Sequence, residues 1–290
     1  MRPPCRWRQA VRENGFAMVP PVFEQLVGAS PEEVTPLVDY GYRAAWKVRT
    51  AGATFIVKSD ERPDLVTNEV MAVRNAATAG VPVQSFAGFA ERPAPAVAFR
   101  WVEGAPLHGC EEPEAWRDAG RVLRRIHSAP PLRQRSVPWG EAMEGMFSAE
   151  LGWMADHGFI EPAEASSARE VAAALRPVMD ETPLGWIHGD CQAAHFIVAP
   201  GEPRIAAVID WADEHQGAPE MDFAVFSLFD GETWRPALDG YAATAEFRER
   251  LERTLPLYRA IRAAGSLRWL ETHGYPGHTW PLECVRALVG

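Results

Sequence analysis

The chain has 290 residues, of which 47% are apolar and 23% are charged, a composition typical of a globular protein with a substantial core. The length is sufficient for two lobes, because a single core stops growing near roughly 250 to 300 residues. No apolar run approaches the roughly 18 residues that a membrane span requires. The 29 basic and 39 acidic residues give a formal charge of −10, which disfavours a nucleic acid or an anionic membrane as partner.

The N-terminal residues and the cysteines predict where the protein acts. Residues 1–18 are basic but lack the apolar segment of a secretory signal. The cysteines are scattered without the spacing of a metal site, at Cys5, Cys110, Cys191 and Cys284. We therefore predict a soluble cytoplasmic protein, either a monomer or a homodimer, in which Cys191 is a buried and unreactive thiol.

The first part of the chain predicts strands around one helix. The expected elements are strands over 42–50, 54–58 and 96–102 and a helix over 64–79. The helix begins beside Pro63 and ends at Gly80, which is the usual order of proline and glycine at helix ends. Glu69 is expected at the edge of the buried face, whose apolar residues are Val66, Val70, Val73 and Ala77.

From residue 103 onward the pattern is mostly helical. One helix is expected to end near Ser128, with a buried face formed by Trp116, Ala119, Leu123 and Ile126. Two more helices are expected across 141–180, and a helical tail across 231–290. The sequence therefore predicts an α+β protein with an N-terminal lobe over 1–102, built on a small antiparallel sheet, and a mostly helical C-terminal lobe over 103–290.

The segment from 185 to 210 is the most informative for chemistry. It contains His188-Gly189-Asp190, then His195, and then Asp210 at the end of an apolar strand. Phosphoryl transfer needs a positioned hydroxyl and Mg²⁺ held against the phosphates, and this run offers one carboxylate for the first task and two side chains for the second.

A hairpin is expected to bring the two potential metal ligands together. The β-prone runs 196–198 and 205–209 flank a Pro- and Gly-containing turn. If the turn centres between Glu202 and Pro203, residues whose numbers sum to 405 face each other. His195 would then lie opposite Asp210, with Cα atoms roughly 4.5 to 5.5 Å apart.

Taken in chain order, these motifs resemble the aminoglycoside phosphotransferase family of kinase-like enzymes. The matching segments are 55–58, 68–70, 80–83, 99–104, 186–190, 208–211 and 217–224. The resemblance implies a bilobal protein-kinase-like fold that transfers the γ-phosphate of ATP or GTP, with Mg²⁺, to a hydroxyl of a small molecule. The elements of a protein kinase activation loop are absent.

The resemblance also assigns roles to the residues of the central segment. It implies that Asp190 is the catalytic base, that Asp210 binds Mg²⁺, and that His188 and Asp222 are structural. His195 occupies a metal-ligand position where the family usually has Asn, and the macrolide phosphotransferase branch resembles this chain in having His there. Imidazole is a poorer ligand for Mg²⁺ than oxygen, so a hydrogen-bonding role for His195 stays open.

For the nucleotide, the resemblance implies Lys58, Glu69, Gly41, Phe99, Arg100 and Val102. Lys58 would contact the α and β phosphates and pair with Glu69. Phe99 would line the base pocket, and the backbone of Arg100 and Val102 would bind the base. The loop around Gly41 has a single glycine and lacks the usual Gly-rich pattern.

Seven residues are candidates for binding the acceptor: Asp213, Glu214, His215, Trp153, Trp269, Tyr275 and Trp280. The first three follow the predicted metal ligand Asp210, and a solvated polar turn is the alternative. The aromatic residues lie on predicted helices or in the tail, where such residues more often belong to the core.

The leading functional hypothesis is an antibiotic kinase that gives resistance by inactivating an aminoglycoside, macrolide, nucleoside or peptide antibiotic. One alternative is a metabolic kinase acting on a sugar, a choline-like amine or an amino alcohol. A second alternative is a catalytically dead kinase-like protein that binds nucleotide, motivated by His195 and the single glycine of the phosphate loop.

Overall fold

The computed structural model of this chain describes residues 19–92 and 95–289. The expectations for residues 1–18, including Cys5, lie outside the described residues. The chain forms two compact units: the first is Met1–Ala105 with Ile197–Asp213, and the second is Pro106–Phe196 with Glu214–Gly290. The first unit thus includes a segment that follows the predicted boundary at residue 102.

The first unit is built on a five-stranded antiparallel sheet with the strand order β1-β2-β3-β5-β4. The strands are β1 Glu33–Asp39, β2 Arg43–Arg49, β3 Thr54–Asp60, β4 Phe86–Ala90 and β5 Ala96–Arg100. The two helices are α1 Val19–Val27 and α2 Pro63–Thr78. Strand β3 lies at the centre and is buried along nearly its whole length, so its side chains have fixed surroundings.

The core of the first unit lies between the sheet and α1. Phe23 of α1 packs edge-on against Phe55 of β3, with ring centroids 5.5 Å apart. Helix α1 also crosses β4 so closely that a Cβ on Gly88 would lie 2.0 Å from the carbonyl oxygen of Leu26. Only glycine fits at this crossing.

Helix α2 has the predicted ends, because Pro63 occupies its first turn and Gly80 follows it with a φ of 72°. The predicted buried face is present except at its last position, where Ala76 is buried and Ala77 is exposed. Glu69 lies within the buried face rather than at its edge, since only 4% of the residue is exposed. A buried carboxylate requires a partner, and Glu69 has one in Lys58.

The second unit is mostly helical. Its helices are α3 Pro113–Ser128, α4 Trp139–Asp156, α5 Pro162–Glu181, α6 Pro219–Phe226, α7 Pro236–Gly240, α8 Ala245–His273 and α9 Thr279–Arg286. Strands β7 Gly185–Ile187 and β10 His215–Gly217 form a two-stranded antiparallel ladder. The predicted face of α3 is fully buried. Within the described residues, no helix has the length and apolarity needed to cross a membrane.

Three further strands are short: β6 Ala105–Pro106, β8 Phe196–Val198 and β9 Ile205–Val208. In the β8–β9 hairpin the amide of Ala199 donates to the carbonyl of Arg204 at 2.8 Å, so residues whose numbers sum to 403 face each other. The predicted register, with His195 opposite Asp210, is therefore wrong. Gly201 adopts a φ of 73°, which closes the turn one residue earlier than we expected.

Helices α3 and α7 approach each other at two glycines. A Cβ on Gly120 would lie 1.9 Å from the carbonyl oxygen of Ala237, and a Cβ on Gly240 would lie 1.8 Å from that of Arg117. We expect Gly120→Ala to lower the free energy of unfolding by roughly 1–3 kcal/mol, because the helices must separate to admit the methyl group. The measurement is urea denaturation followed by circular dichroism.

The matched control is Gly145→Ala, in the interior of α4, where an added Cβ would have no heavy atom within 4 Å. That substitution should raise the free energy of unfolding by about 0.5–1 kcal/mol through helix propensity alone. Equal effects of the two substitutions would contradict the close helix crossing.

Candidate active site

The first unit contains a buried lysine between two carboxylates. Lys58 lies on the central strand β3, paired with Ala45 of β2 on one side and Val97 of β5 on the other. Its Nζ donates to Glu69 Oε1 at 2.5 Å and to Asp210 Oδ1 at 3.1 Å. The predicted ion pair of Lys58 with Glu69 is therefore present, and Asp210 shares the same ammonium group.

Asp210 follows β9 in a left-handed backbone conformation, with a φ of 65°. Asp is one of the few residues besides Gly that adopt this conformation. Its Oδ1 accepts a second hydrogen bond, from Nη2 of Arg43 at 2.7 Å. Oδ1 of Asp210, the residue that we predicted to bind Mg²⁺, thus accepts hydrogen bonds from both Arg43 and Lys58.

Arg43 was not among the residues predicted from the sequence. It begins β2, directly after the turn that contains Gly41. The local sequence contains no signal for its contact, because Asp210 is 167 residues away in the chain.

The charges of this cluster are set by their neighbours. Burial opposes the charged form of Lys58, but the carboxylates of Asp210 and Glu69 outweigh it and raise the pKa of Lys58. Burial likewise opposes the charge of Arg43, yet the same two carboxylates raise its pKa. Both cations therefore stay charged over the physiological range.

The remaining nucleotide-binding candidates lie around the same sheet. Gly41 adopts a φ of 79° in the β1–β2 turn, and its amide donates to Asp39 Oδ1 at 2.8 Å. Phe99 is fully buried in β5. The amide of Arg100 donates to the carbonyl of Ser85 at 2.8 Å, so this amide belongs to the sheet and does not face a base. The predicted backbone contact of Arg100 is thereby limited to its carbonyl, while Val102, after the end of β5, is half-buried.

In the second unit, a buried aspartate holds the loop that follows β7. Asp222, in the first turn of α6, accepts hydrogen bonds from the backbone amides of His188 at 2.8 Å and Gly189 at 3.0 Å. It also accepts from Nε2 of His127 at 3.1 Å. Asp222 and His188 are both fully buried and Gly189 is half-buried, so the loop backbone is held by a carboxylate that is itself shielded from water.

The chain of hydrogen bonds continues beyond His127. Its Nδ1 lies 3.0 Å from the hydroxyl of Tyr241, and burial raises the pKa of Tyr241, so the phenol stays protonated and donates. His127 can then donate from Nε2 to Asp222 as a neutral imidazole. Burial opposes the charge on Asp222, but the hydrogen bonds from the His127 side chain and the His188 amide help to outweigh it, and the pKa of Asp222 is lowered.

Asp190 is held from two sides within the second unit. Its Oδ1 accepts from Nη2 of Arg262 at 2.5 Å and from Nε2 of Gln192 at 2.9 Å. Arg262 lies on α8, 72 residues from Asp190, and the sequence did not reveal this pairing. The candidate base is thus a carboxylate whose orientation is fixed by a guanidinium group.

His195 ends a short 3₁₀ turn, Ala193–His195, directly after the loop. Its Nδ1 lies 2.8 Å from the backbone carbonyl of Asp190, which can only accept, so Nδ1 carries the proton. In the neutral form of the ring Nε2 has the lone pair, as in a histidine oriented to bind a metal.

Of the seven predicted acceptor-binding residues, Asp213 belongs to the first unit and the other six belong to the second. Asp213 is exposed in the first unit and adds to the negative charge around Arg43. In the second unit, Glu214 accepts a hydrogen bond from the indole of Trp186, and His215 stacks on Trp139 at 6.1 Å. Both are therefore engaged in the scaffold.

The aromatic candidates of the second unit fall into different ring clusters. Trp269 stacks on Tyr275, with centroids 5.3 Å apart and planes 10° apart. Trp153 stacks on His157 at 4.4 Å. Trp280 packs edge-on against Phe229 at 4.9 Å. Trp269 also stacks on His273 at 4.6 Å, and Tyr275 is exposed, so Trp269 and Tyr275 form a stacked aromatic platform at the end of α8 with Tyr275 on its outer side.

Cys191, beside Asp190, is fully buried. Burial, and the negative charges of Asp222 and Asp190, raise the pKa of its thiol well above the ordinary value. The thiol stays protonated and is a poor nucleophile, as the sequence predicted.

The lowered pKa of Asp222 predicts a pH-dependent contribution to stability. Since the folded state holds the proton less tightly than the unfolded chain, the contribution is present above the ordinary pKa of 3.8 and is lost as the pH falls through the lowered value. At neutral pH, Asp222→Asn should cost roughly 3–5 kcal/mol, as for a broken buried pair. The measurement is the free energy of unfolding from pH 7 down to pH 3.

The control is Asp239→Asn, because Asp239 is 62% exposed and pairs with Arg248 at the surface. It should change the free energy of unfolding by no more than about 1 kcal/mol. Wild type should lose more stability than Asp222→Asn as the solution is acidified. Parallel curves for the two proteins would refute the role of the Asp222 carboxylate.

A sequence model of the phosphotransferase enzyme family, APH, matches residues 35–263 of this chain. Comparison with curated proteins gave no significant match. Many solved structures share the fold.

Three of these structures illustrate the similarity. A protein from Thermobifida fusca YX-ER1 assigned as a fructosamine-3-kinase has a TM-score of 0.71 and 21% identity, over 93% of this chain and 98% of its own. A thermostable mutant of the aminoglycoside phosphotransferase APH(4)-Ia, in a ternary complex with ADP and hygromycin B, has a TM-score of 0.70 and 17% identity, over 93% and 97%. The GDP complex of aminoglycoside 2'-phosphotransferase-IIIa has a TM-score of 0.70 and 15% identity, over 95% and 96%.

At such identities these similarities establish the fold, and the predicted α+β kinase-like fold is confirmed. The family match extends over most of the sequence and includes Lys58, Asp190 and Asp210. The chain therefore belongs to the phosphotransferase enzyme family.

Proposed function

We propose that this phosphotransferase moves the γ-phosphoryl group of ATP or GTP to a hydroxyl of an antibiotic and thereby inactivates it. The observation that carries the proposal is the buried Lys58, held between Glu69 and Asp210 at 2.5 and 3.1 Å. A lysine kept charged in this way is suited to bind the α and β phosphates. Gly41, Phe99, Arg100 and Val102 are proposed to complete the nucleotide site.

Asp190 is the proposed catalytic base. The acceptor oxygen attacks the γ-phosphorus, the bond from phosphorus to the β-γ bridging oxygen breaks, and the nucleoside diphosphate leaves with the bonding electrons. The hydroxyl proton passes to the carboxylate of Asp190. Because Arg262 and Gln192 fix this carboxylate, it can orient the hydroxyl before the transfer begins.

Asp210, in the first unit, and His195, in the second, are the proposed ligands of a magnesium ion, on the chemistry of their donor atoms. Asp210 supplies a hard carboxylate oxygen, and the protonation of His195 at Nδ1 leaves its Nε2 as the second proposed ligand. When bound, Mg²⁺ neutralises charge on the β and γ phosphates. Lys58 and Arg43, which share Asp210 Oδ1, are then placed to contribute positive charge to the same phosphates.

Both nucleotides are proposed as donors, since the similar structures include an ADP complex and a GDP complex. The protein is proposed to act in the cytoplasm as a monomer or homodimer. Acceptor binding is proposed to involve the platform of Trp269 and Tyr275, with further contributions from Asp213, Glu214, His215, Trp153 and Trp280.

A metabolic kinase is the second candidate, favoured by the similarity to a protein assigned as a fructosamine-3-kinase. A catalytically dead nucleotide-binding protein is the third. It is disfavoured because Lys58, Asp190 and Asp210 are all present and charged partners hold each of them.

The test is a panel of antibiotics, sugars, choline-like amines and amino alcohols, incubated with Mg-ATP or Mg-GTP and read by mass spectrometry. A gain of one phosphoryl group on an antibiotic supports the proposal. A gain only on metabolites favours the second candidate. Nucleotide binding without transfer to any compound favours the third.

Two aspartate substitutions separate catalysis from nucleotide binding. Asp190→Asn should lower kcat by about 10²–10⁴-fold, the usual contribution of a general base, and leave nucleotide affinity nearly unchanged. Asp210→Asn should also weaken the binding of Mg-nucleotide. Steady-state kinetics and calorimetric titration measure the two effects. Glu202→Gln, at the exposed hairpin turn, is the control and should change neither. Full turnover by Asp190→Asn would remove the proposed base.

Two substitutions of His195 distinguish its proposed role as a metal ligand from a role as a hydrogen-bonding residue. His195→Asn should keep kcat within about tenfold of wild type, because the amide supplies an oxygen ligand in place of nitrogen. His195→Ala should lose both activity and apparent Mg²⁺ affinity. The measurement is kcat as a function of Mg²⁺ concentration. An inactive but well-folded His195→Asn would show that the imidazole bond to the Asp190 carbonyl is what matters.

A further inference from the structure

Arg262 uses one of its N–H donors to hold the carboxylate of Asp190, the proposed catalytic base. Nη2 of Arg262 donates to Asp190 Oδ1 at 2.5 Å, and the Arg262 side chain is 30% exposed. Over residues 19–92 and 95–289, this is the one hydrogen bond that the Arg262 side chain makes. A guanidinium group has five N–H donors in a planar fork. The guanidinium group is therefore partly exposed and keeps donors that the described residues do not use, beside the carboxylate that would receive the acceptor hydroxyl.

Two other arginines of α8, Arg259 and Arg268, bind partners other than Asp190. Arg259 donates to the hydroxyl and carbonyl of Ser227 at 3.0 and 3.1 Å. Arg268, further along the helix, pairs with Glu150 at 3.4 Å. Among these three, Arg262 alone combines a contact with the proposed base and uncommitted donors.

The face of α8 that continues from Arg262 is suited to a ligand. Ser266 and Trp269 lie four and seven residues further on, which places them along the same side of the helix, and both are half-buried. Seven residues correspond to about 10 Å along a helix. Trp269, which stacks on both Tyr275 and His273, therefore lies about two turns from the guanidinium group, and Tyr275 is the exposed ring of this cluster.

We propose that Arg262 determines acceptor specificity: it binds an anionic oxygen group, a carboxylate or a phosphate, next to the hydroxyl that is phosphorylated. This inference rests on the proposed kinase function and names the acceptor class. The second edge of the guanidinium group receives the anion while Nη2 keeps its bond to Asp190, since arginine matches oxyanions with paired donors. An ammonium group at the same place would meet a like charge and is rejected.

The same geometry predicts the general form of the acceptor. It carries a hydroxyl, an adjacent anionic group, and a planar or apolar portion that reaches the platform of Trp269 and Tyr275. Acidic peptide-type or nucleoside-type compounds have these features, whereas a polycationic aminoglycoside does not. The transfer itself is unchanged: the hydroxyl proton passes to Asp190 and the nucleoside diphosphate leaves.

The test uses three probes that share a benzoyl ring and a primary hydroxyl and differ in one substituent. N-benzoylserine carries a carboxylate, N-benzoylalaninol a methyl group, and N-benzoyl-2,3-diaminopropanol an ammonium group. Each is incubated with the full chain and Mg-ATP or Mg-GTP, and phosphorylation is followed by mass spectrometry. Binding to the Mg-AMP-PNP complex is measured by calorimetry. We expect wild type to favour the carboxylate probe by at least about tenfold, or 1.4 kcal/mol.

Three substitutions assign that preference to Arg262. Arg262→Ala should abolish the preference, Arg262→Lys should retain part of it, and Arg262→Glu should shift it to the ammonium probe. Arg268→Ala, on the same helix, is the matched control and should leave the order of the probes unchanged. Thermal unfolding with and without Mg-ATP confirms that each variant is folded and binds nucleotide.

Failure of the inference and failure of the proposed function give different results. If the carboxylate probe binds no better than the others, or not at all, while Mg-ATP still stabilises the protein, the inference is overturned and the kinase function stands. The same holds if Arg262→Glu leaves the order of the probes unchanged. If Mg-nucleotide neither binds nor transfers phosphate to any compound, the proposed function fails and the inference fails with it.

Discussion

A single buried carboxylate, that of Asp222, holds the loop that leads to Asp190, the proposed catalytic base. Asp222 has no access to water, so its charge must be balanced by protein groups, and three N–H donors from His127, His188 and Gly189 provide that balance. Two of these donors are backbone amides, which means that the carboxylate fixes the main chain and not only side chains. Asp190 is the next residue, so Asp222 fixes the main chain up to it, while Arg262 and Gln192 hold its carboxylate.

The first unit also contains a buried charge that is balanced by protein groups, but there the buried group is a cation. Lys58 is a buried cation, and the carboxylates of Glu69 and Asp210 keep it charged against the cost of burial. Arg43 adds a second cation at Asp210. The resulting cluster of two cations and two anions is close to neutral by itself, because each charge is offset by a partner within the unit.

The sequence predicted the elements with strong local signals and missed those without them. The helix of Trp116 and Ile126 and the strand of Lys58 follow from periodicity, and the ion pair of Lys58 with Glu69 follows from the family resemblance. Strands β1 and β4 were not predicted because they lie at the edges of the sheet, and their register is interrupted near Pro36 and Gly88. Edge strands need little apolar alternation, so a pattern search cannot find them.

The errors at the site have a different origin. The hairpin register depended on one backbone conformation, that of Gly201, and prolines on both sides of the turn gave no indication of which residue would adopt it. Arg43 and Arg262 contact aspartates 167 and 72 residues away, so only the tertiary fold reveals them.

The backbone of Asp210 has a consequence for how this position tolerates change. Its left-handed conformation excludes β-branched and bulky residues on steric grounds, before any question of charge arises. Most replacements of Asp210 would therefore have two separate costs: strain in the left-handed backbone and loss of the carboxylate. Asparagine, which shares the conformational preference of aspartate, separates them, and a laboratory evolution experiment would have very few routes away from aspartate here.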